Sequence, residues 1–133
     1  MACGIPSTIG WPILRDITTA FMKHSESMAG NGMILAKNNK VSVESGECGG
    51  VGLGIIHHLM SEEDEKSIEF RKKLGLDSSS NILLINTEGA TDPINYEKVI
   101  MNPMESGTFE YHMNDLRTHK PGFQIEYEVK ESN

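Results

Sequence analysis

The run Ile82-Leu83-Leu84-Ile85 constrains this chain more than any other segment. Four aliphatic side chains follow one another with no polar residue between them. A strand covered on one face alternates apolar and polar; a strand covered on both faces reads as an unbroken apolar run. Residues 81–86 are therefore predicted to form a strand of a parallel sheet flanked by helices. Residues 41–44 read as a second, shorter strand. Each strand runs into a loop and then a helix, and strand, loop, helix occurring twice predicts the α/β class.

The helices are marked by their ends. Residues 10–23 place Ile13, Leu14, Ile17, Ala20 and Phe21 at helical spacing, with Ser7 or Thr8 as caps and Pro12 in the first turn. Residues 28–32 read as a loop. Ile55-Ile56-His57-His58-Leu59-Met60 reads as a nearly apolar, buried helix. Ser61-Glu62-Glu63-Asp64 opens a further helix that Arg71, Lys72 and Lys73 close, with Gly75 as its C-terminal cap. Asp92 followed by Pro93 starts a short helix through about Met101. Beyond Asn102 turn formers dominate until residues 123–130, which alternate strictly and predict a half-buried strand. The expected organisation is thus residues 1–101 as one body and 102–133 as a tail with an edge strand.

Composition excludes several function classes. With 12 Lys and Arg against 19 Asp and Glu the net charge is −7, the wrong sign for a nucleic-acid surface. No apolar run approaches the ~18–20 residues of a membrane helix, and the N-terminus has no basic start before an apolar stretch. Cys3 and Cys48 are too few and too far apart for a disulfide scaffold, which predicts reduced thiols and a cytoplasmic setting. His57 and His58 point about 100° apart on a helix, and no His-x-x-x-His pair exists, so no metal site is expected.

Ligands of open α/β sheets sit at the carboxyl ends of strands, which leaves two candidate loops. The first, residues 45–54, is glycine-rich. It matches neither the dinucleotide fingerprint nor the triphosphate loop, and Glu47 inside it would repel a phosphate. Its glycines serve either tight turning and close helix packing or a non-phosphate ligand. The second is Asn86-Thr87-Glu88-Gly89-Ala90-Thr91-Asp92. Asp92 is accounted for as a cap. Asn86 and Thr87 sit where a buried strand emerges, suited to a hydrogen bond with a ligand.

Four segments in order carry a family likeness: Ala2-Cys3-Gly4-Ile5-Pro6-Ser7, Trp11-Pro12-Ile13-Leu14-Arg15-Asp16, Glu44-Ser45-Gly46-Glu47-Cys48-Gly49-Gly50-Val51-Gly52-Leu53-Gly54, and Asn86-Thr87-Glu88-Gly89-Ala90-Thr91-Asp92-Pro93. Over roughly residues 1–100 the chain resembles the C-terminal third of the diaminopropionate ammonia-lyases, pyridoxal-phosphate enzymes of the fold type II (tryptophan-synthase-β-like) group. The family motifs read Ser-Gly-Glu-Ser-Gly-x-Val-Gly-Leu-Gly and Ser-Thr-Glu-Gly-Asp-Thr-Asp. Glu47 and Thr87 match them; Cys48 and Asn86 each replace a Ser, and Ala90 replaces an Asp.

The resemblance implies a partial fold type II domain, pyridoxal phosphate as cofactor, and α,β-elimination of 2,3-diaminopropionate to pyruvate and ammonia. It places Glu47 near the pyridine ring, and Asn86 and Thr87 at the strand end facing the ring nitrogen. None of the nine lysines lies in a context like that of the family's cofactor lysine. Lys37 and Lys40 read as solvated loop charges. The expectation is a portion of such a lyase, inactive alone, with a complementing N-terminal chain or a homo-oligomer as partner and a small amino acid as substrate. A non-catalytic interaction or regulatory module derived from the enzyme is the alternative.

Overall fold

The structure, a computed structural model, describes residues 7–114. The predicted strand at 123–130 lies outside the described residues. In order the elements are α1 (Gly10–Ile17), β1 (Ala20–His24), α2 (Glu26–Asn38), α3 (Glu47–Ser61), α4 (Glu65–Leu74), α5 (Pro93–Met101) and β2 (Phe109–Met113). Among the described residues the one sheet is β1 paired with β2. Ser25 N donates to Thr108 O at 2.9 Å and Asn114 N to Thr19 O at 2.8 Å, which fixes an antiparallel register. The fold is mixed helix with a small antiparallel ribbon. No helix is long and apolar enough to cross a membrane among the described residues. The described residues divide into two compact units, one spanning Lys23–Glu110 and the other made of residues 7–22 and 111–114.

In the first unit α5 starts at its predicted signal, whereas α4 starts at Glu65 with Asp64 as its cap, and Ser61, expected to open it, instead ends α3. The Asp64 carboxylate accepts from Ser67 N at 3.0 Å, and Gly75 adopts φ 68°. The last turn of α4 closes as a Schellman motif, Leu76 N donating to Arg71 O at 2.9 Å. Asp92 accepts from Asn95 N at 3.1 Å, with Pro93 opening α5. Arg71 Nη1 reaches back to the carbonyls of Leu59 and Glu62 at 2.5 and 2.9 Å, satisfying the end of α3.

The segment expected as a loop at 28–32 lies inside α2, and Met28, Ala29, Gly30, Gly32 and Met33 are all buried there. Lys37 accordingly stands in the last turn of a helix, where a cation is favoured. The glycine-rich stretch is also not a loop beyond Gly46. Glu47 begins α3, and Gly49, Gly50, Gly52 and Gly54 fall within it. The reason is the contact between α2 and α3. A Cβ on Gly32 would stand 2.0 Å from Gly50 O, and one on Gly54 would stand 1.8 Å from Met28 O. The two backbones touch, which offsets the roughly 1 kcal/mol each interior glycine costs a helix. Of the two readings of these glycines, close helix packing holds for Gly32, Gly50 and Gly54.

The predicted parallel strands do not form. Residues 41–44 form no strand, a bend at Val41 leading into an irregular stretch, and Val43 N donates to Ala36 O at 3.0 Å. Residues 81–86 form neither helix nor strand, residues 82–85 are exposed, and no backbone hydrogen bond joins 82–85 to any described residue. A strand is defined by its neighbours, and the described residues supply none beside it. Around the α2–α3 contact the core is small. Met33, Tyr96 and Val99 form one buried cluster. Phe109 packs between Phe70 and His58, with ring centroids 5.9 and 5.5 Å away, and Lys66 Nζ donates to the Phe109 carbonyl.

In the second unit, the predicted helix at 10–23 stops at Ile17. The β-branched pair Thr18-Thr19 ends it and the chain turns into β1. Ser7 Oγ accepts from Gly10 N at 3.0 Å. Asn114 Nδ2 donates to the Arg15 and Thr18 carbonyls, both at 2.7 Å, capping the end of α1. Trp11 packs on Phe21 with ring centroids 5.7 Å apart. Ile13, Leu14 and Ile17, the stripe that predicted this helix, are exposed.

Candidate functional site

The start of α3, the loop 86–92 and the first turn of α5 meet within the first unit. Gly46 N donates to Glu88 O at 3.0 Å. The Glu88 carboxylate accepts from Cys48 N at 2.7 Å. It thereby satisfies one of the open N–H groups at the start of α3 and sets a negative charge against the positive end of that helix. Behind this contact, the hydroxyl of buried Ser45 donates to Asn86 Oδ1 at 3.0 Å, while Asn86 Nδ2 donates to Glu44 O at 3.0 Å. A Cβ on Gly49 would stand 1.9 Å from Asn86 Oδ1, so this junction has no room for a side chain there.

These contacts shape a cleft of about 300 Å³. Glu47, Glu88, Thr91, Asp92, Asn95 and Tyr96 line it, with Met33 and Ala90 adding apolar surface. Three carboxylates line this space and, among the described residues, no lysine or arginine does. Glu47, half-buried, is the first residue of α3, and its Oε1 accepts from Asn95 Nδ2 at 3.5 Å, the outer limit of such a bond. Tyr96 is 4% exposed, and its buried hydroxyl has no hydrogen-bond partner among the described residues. A buried phenol usually finds one. Among the described residues no cluster of His, Cys, Asp and Glu is arranged to hold a metal ion.

The residues singled out in the sequence separate here. Glu47 lines the cleft. Asn86 does not, and its amide links Ser45 to the Glu44 carbonyl, tying the two motifs together. Thr87 is exposed and outside the lining. Sequence reasoning missed Glu88, Asn95 and Tyr96. Asn95 and Tyr96 lie three and four residues after Asp92, on the turn of α5 that faces back to its own cap, and helical spacing could have found them. Glu88 caps a helix that starts 41 residues earlier, and no local pattern signals that.

The fold, mixed helix with a small antiparallel ribbon, is consistent with a partial α/β domain, and it carries an acidic cleft where two loop–helix junctions meet. No family model matches the chain. Over 106 residues it is 37% identical to the diaminopropionate ammonia-lyase of Salmonella typhimurium, covering 77% of this chain and 26% of that protein. It is also 37% identical over 103 residues to the diaminopropionate ammonia-lyases of Escherichia coli K12 and O157:H7, covering 75% of this chain and 25% of each. The chain is thus related to the diaminopropionate ammonia-lyases, and it spans about a quarter of the length of these curated relatives.

Proposed function

We propose that this chain contributes the acidic side of a pyridoxal-phosphate site in a lyase that converts 2,3-diaminopropionate to pyruvate and ammonia. The observation that carries the reading is the meeting of the two family-like motifs, 40 residues apart, on one cleft through Cys48 N and the Glu88 carboxylate. The residues present suit one end of the cofactor. Three carboxylates and a helix start already bonded to Glu88 disfavour a phosphate. The same lining suits a ring that gains a proton, because a nearby carboxylate favours the protonated form of a ring nitrogen.

In this reading Glu47 holds the proton at the ring nitrogen, and the Tyr96 hydroxyl offers a hydrogen bond that no described residue satisfies. Asn86 positions the start of α3 through Ser45. The cofactor supplies the electron sink for the elimination when bound. No lysine lines the cleft among the described residues, and in this reading the covalent anchor and the phosphate contacts come from elsewhere in the lyase. The chain alone is then inactive.

The test mixes the purified chain with pyridoxal phosphate and reduces with borohydride, alone and after co-expression with the part of the Salmonella relative preceding the matched region. The chain alone should give no stoichiometrically labelled lysine and no pyruvate. The co-expressed pair should label one lysine, on the added part, and release pyruvate, and Glu47→Ala should lower turnover at least tenfold. A labelled lysine within this chain, or a labelled pair whose turnover ignores Glu47→Ala, would falsify the assignment.

A further inference from the structure

A second cleft, of about 360 Å³, opens within the first unit where the end of β1, the start of β2 and the first turn of α4 meet. It shares no lining residue with the acidic cleft. Its lining carries charges of both signs, from Lys23, Lys66 and Glu110. The wall is tied across the ribbon: Ser25 N donates to Thr108 O at 2.9 Å, and Thr108 N donates to Ser25 Oγ at 2.9 Å. With Ser25 facing Thr108, the antiparallel register sets Lys23 opposite Glu110. Among the described residues neither Lys23 nor Lys66 forms an ion pair. The Lys66 ammonium donates instead to the Phe109 carbonyl and stands 4.9 Å from the centroid of the Phe109 ring. Phe109 is itself buried against Phe70 and His58, so this cation is held from the core. Both of its partners are neutral. They orient the charge without cancelling it, and an ammonium has three donors of which the carbonyl takes one. His24, also in the lining, has Nδ1 2.9 Å from the Ser25 carbonyl, which commits that nitrogen to the backbone as a donor.

We infer that this cleft binds a small zwitterionic α-amino acid, its carboxylate on the Lys66 ammonium and its ammonium on Glu110. Charges of both signs that share a cleft without pairing match a ligand that carries both. A phosphate would meet Glu110, and a simple carboxylate or amine would use one end only. The acidic cleft offers no cation among the described residues, so a whole zwitterion is matched here and not there. The volume suits a small ligand. Because Lys66 is already held, binding costs less of its rotamer freedom. An occupant of this cleft is bound away from Glu47, so it is held and not consumed. The inference rests on Lys66, Glu110 and their surroundings, not on the cofactor reading.

The test titrates glycine into the full isotope-labelled chain and follows its amide shifts by NMR, with acetate, methylammonium and inorganic phosphate as comparators. Glycine should shift amides in residues 23–25, 66–67 and 108–110 and saturate with a Kd of about 1 mM. Acetate and methylammonium, each matching one end, should bind at least about fivefold more weakly, the worth of one exposed charge contact. Lys66→Gln and Glu110→Gln should each weaken glycine by about the same factor. Both side chains are exposed, so the circular dichroism should not change. Lys66→Arg, which keeps the charge, should retain most of the binding. The inference is overturned by absence of shifts, by shifts confined to residues 86–96, or by undiminished glycine binding in either glutamine variant. Acetate binding as tightly as glycine removes the role of Glu110 and overturns it too. Phosphate binding more tightly than glycine overturns it in favour of a plain anion site. The borohydride experiment reads the acidic cleft, so the cofactor reading can fail with this site standing, and the reverse.

Discussion

Gly54 lies so close to Met28 that a methyl group on its α-carbon would stand 1.8 Å from the Met28 carbonyl oxygen. Neither partner can give way, because both are helix backbone. Gly54→Ala should therefore force α2 and α3 apart and cost about 3 kcal/mol or more, the upper end for overpacking. Gly32→Ala, whose Cβ would meet Gly50 O at 2.0 Å, should behave alike. Gly52→Ala is the contrast. Its nearest contact is the end of the Leu84 side chain at 3.2 Å, which can rotate, and alanine gains up to about 1 kcal/mol of helix propensity. Urea unfolding of the three variants should show two strongly destabilised proteins and one unchanged or more stable.

Glu88 acts as the cap that α3 does not carry locally, since Gly46 has no side chain to offer. Removing it should cost about 1 kcal/mol, as for other N-terminal caps. Glu88→Gln keeps an acceptor for Cys48 N and should retain most of that stability. Thermal melts of Glu88→Ala and Glu88→Gln separate the two contributions. Equal losses would mean that charge, not the hydrogen bond, is what Glu88 brings.

Much of this was legible and the division is physical. The caps of α4 and α5 are local chemistry, readable from Asp64, Gly75, Asp92 and Pro93 alone. The expected loop at 28–32 and the glycine-rich loop failed together, because each is made helical by the other: Gly32 matters only once Gly50 and Gly54 face it. The apolar run at 82–85 predicts a strand buried on both faces of a parallel sheet, and among the described residues no such strand forms and all four side chains are exposed. Its partners are not a property of its own residues. At the cleft, Glu47 is singled out by the motif it stands in, while Glu88 acts at a distance that no periodicity encodes.

The acid limb of stability has two named contributors. The Asp64 carboxyl lies below the ordinary 3.8 because of the Ser67 hydroxyl beside it and the Ser67 N–H. Asp77 lies below 3.8 because it accepts from the Ser79 hydroxyl and N–H. A carboxyl whose folded value is depressed stabilises the fold above its unfolded value, and that contribution disappears as pH falls through the folded value. Denaturation midpoints taken from neutral pH to below 3.8 should fall on acidification. The double variant Asp64→Asn and Asp77→Asn should show a shallower fall. An unchanged slope would mean that other carboxylates govern acid unfolding.

Asn86 and Gly49 should be energetically coupled, because a Cβ on Gly49 would meet Asn86 Oδ1 at 1.9 Å. Asn86→Ala alone removes the acceptor of the buried Ser45 hydroxyl, although Gly46 O at 3.2 Å remains as a partner. That loss should be about 1 kcal/mol. Gly49→Ala alone should be costlier, since the Asn86 amide is pinned from its other end by Glu44 O. In the double variant the obstructing amide is gone. The remaining close atom, Ser45 Oγ at 2.6 Å from the added Cβ, sits on a hydroxyl that can turn. The double variant should thus be more stable than the sum of the single losses requires, with a coupling of roughly 1–3 kcal/mol. A double-mutant cycle by urea denaturation measures it. Strict additivity would show that the junction yields elsewhere and that Asn86 does not set the space at the start of α3.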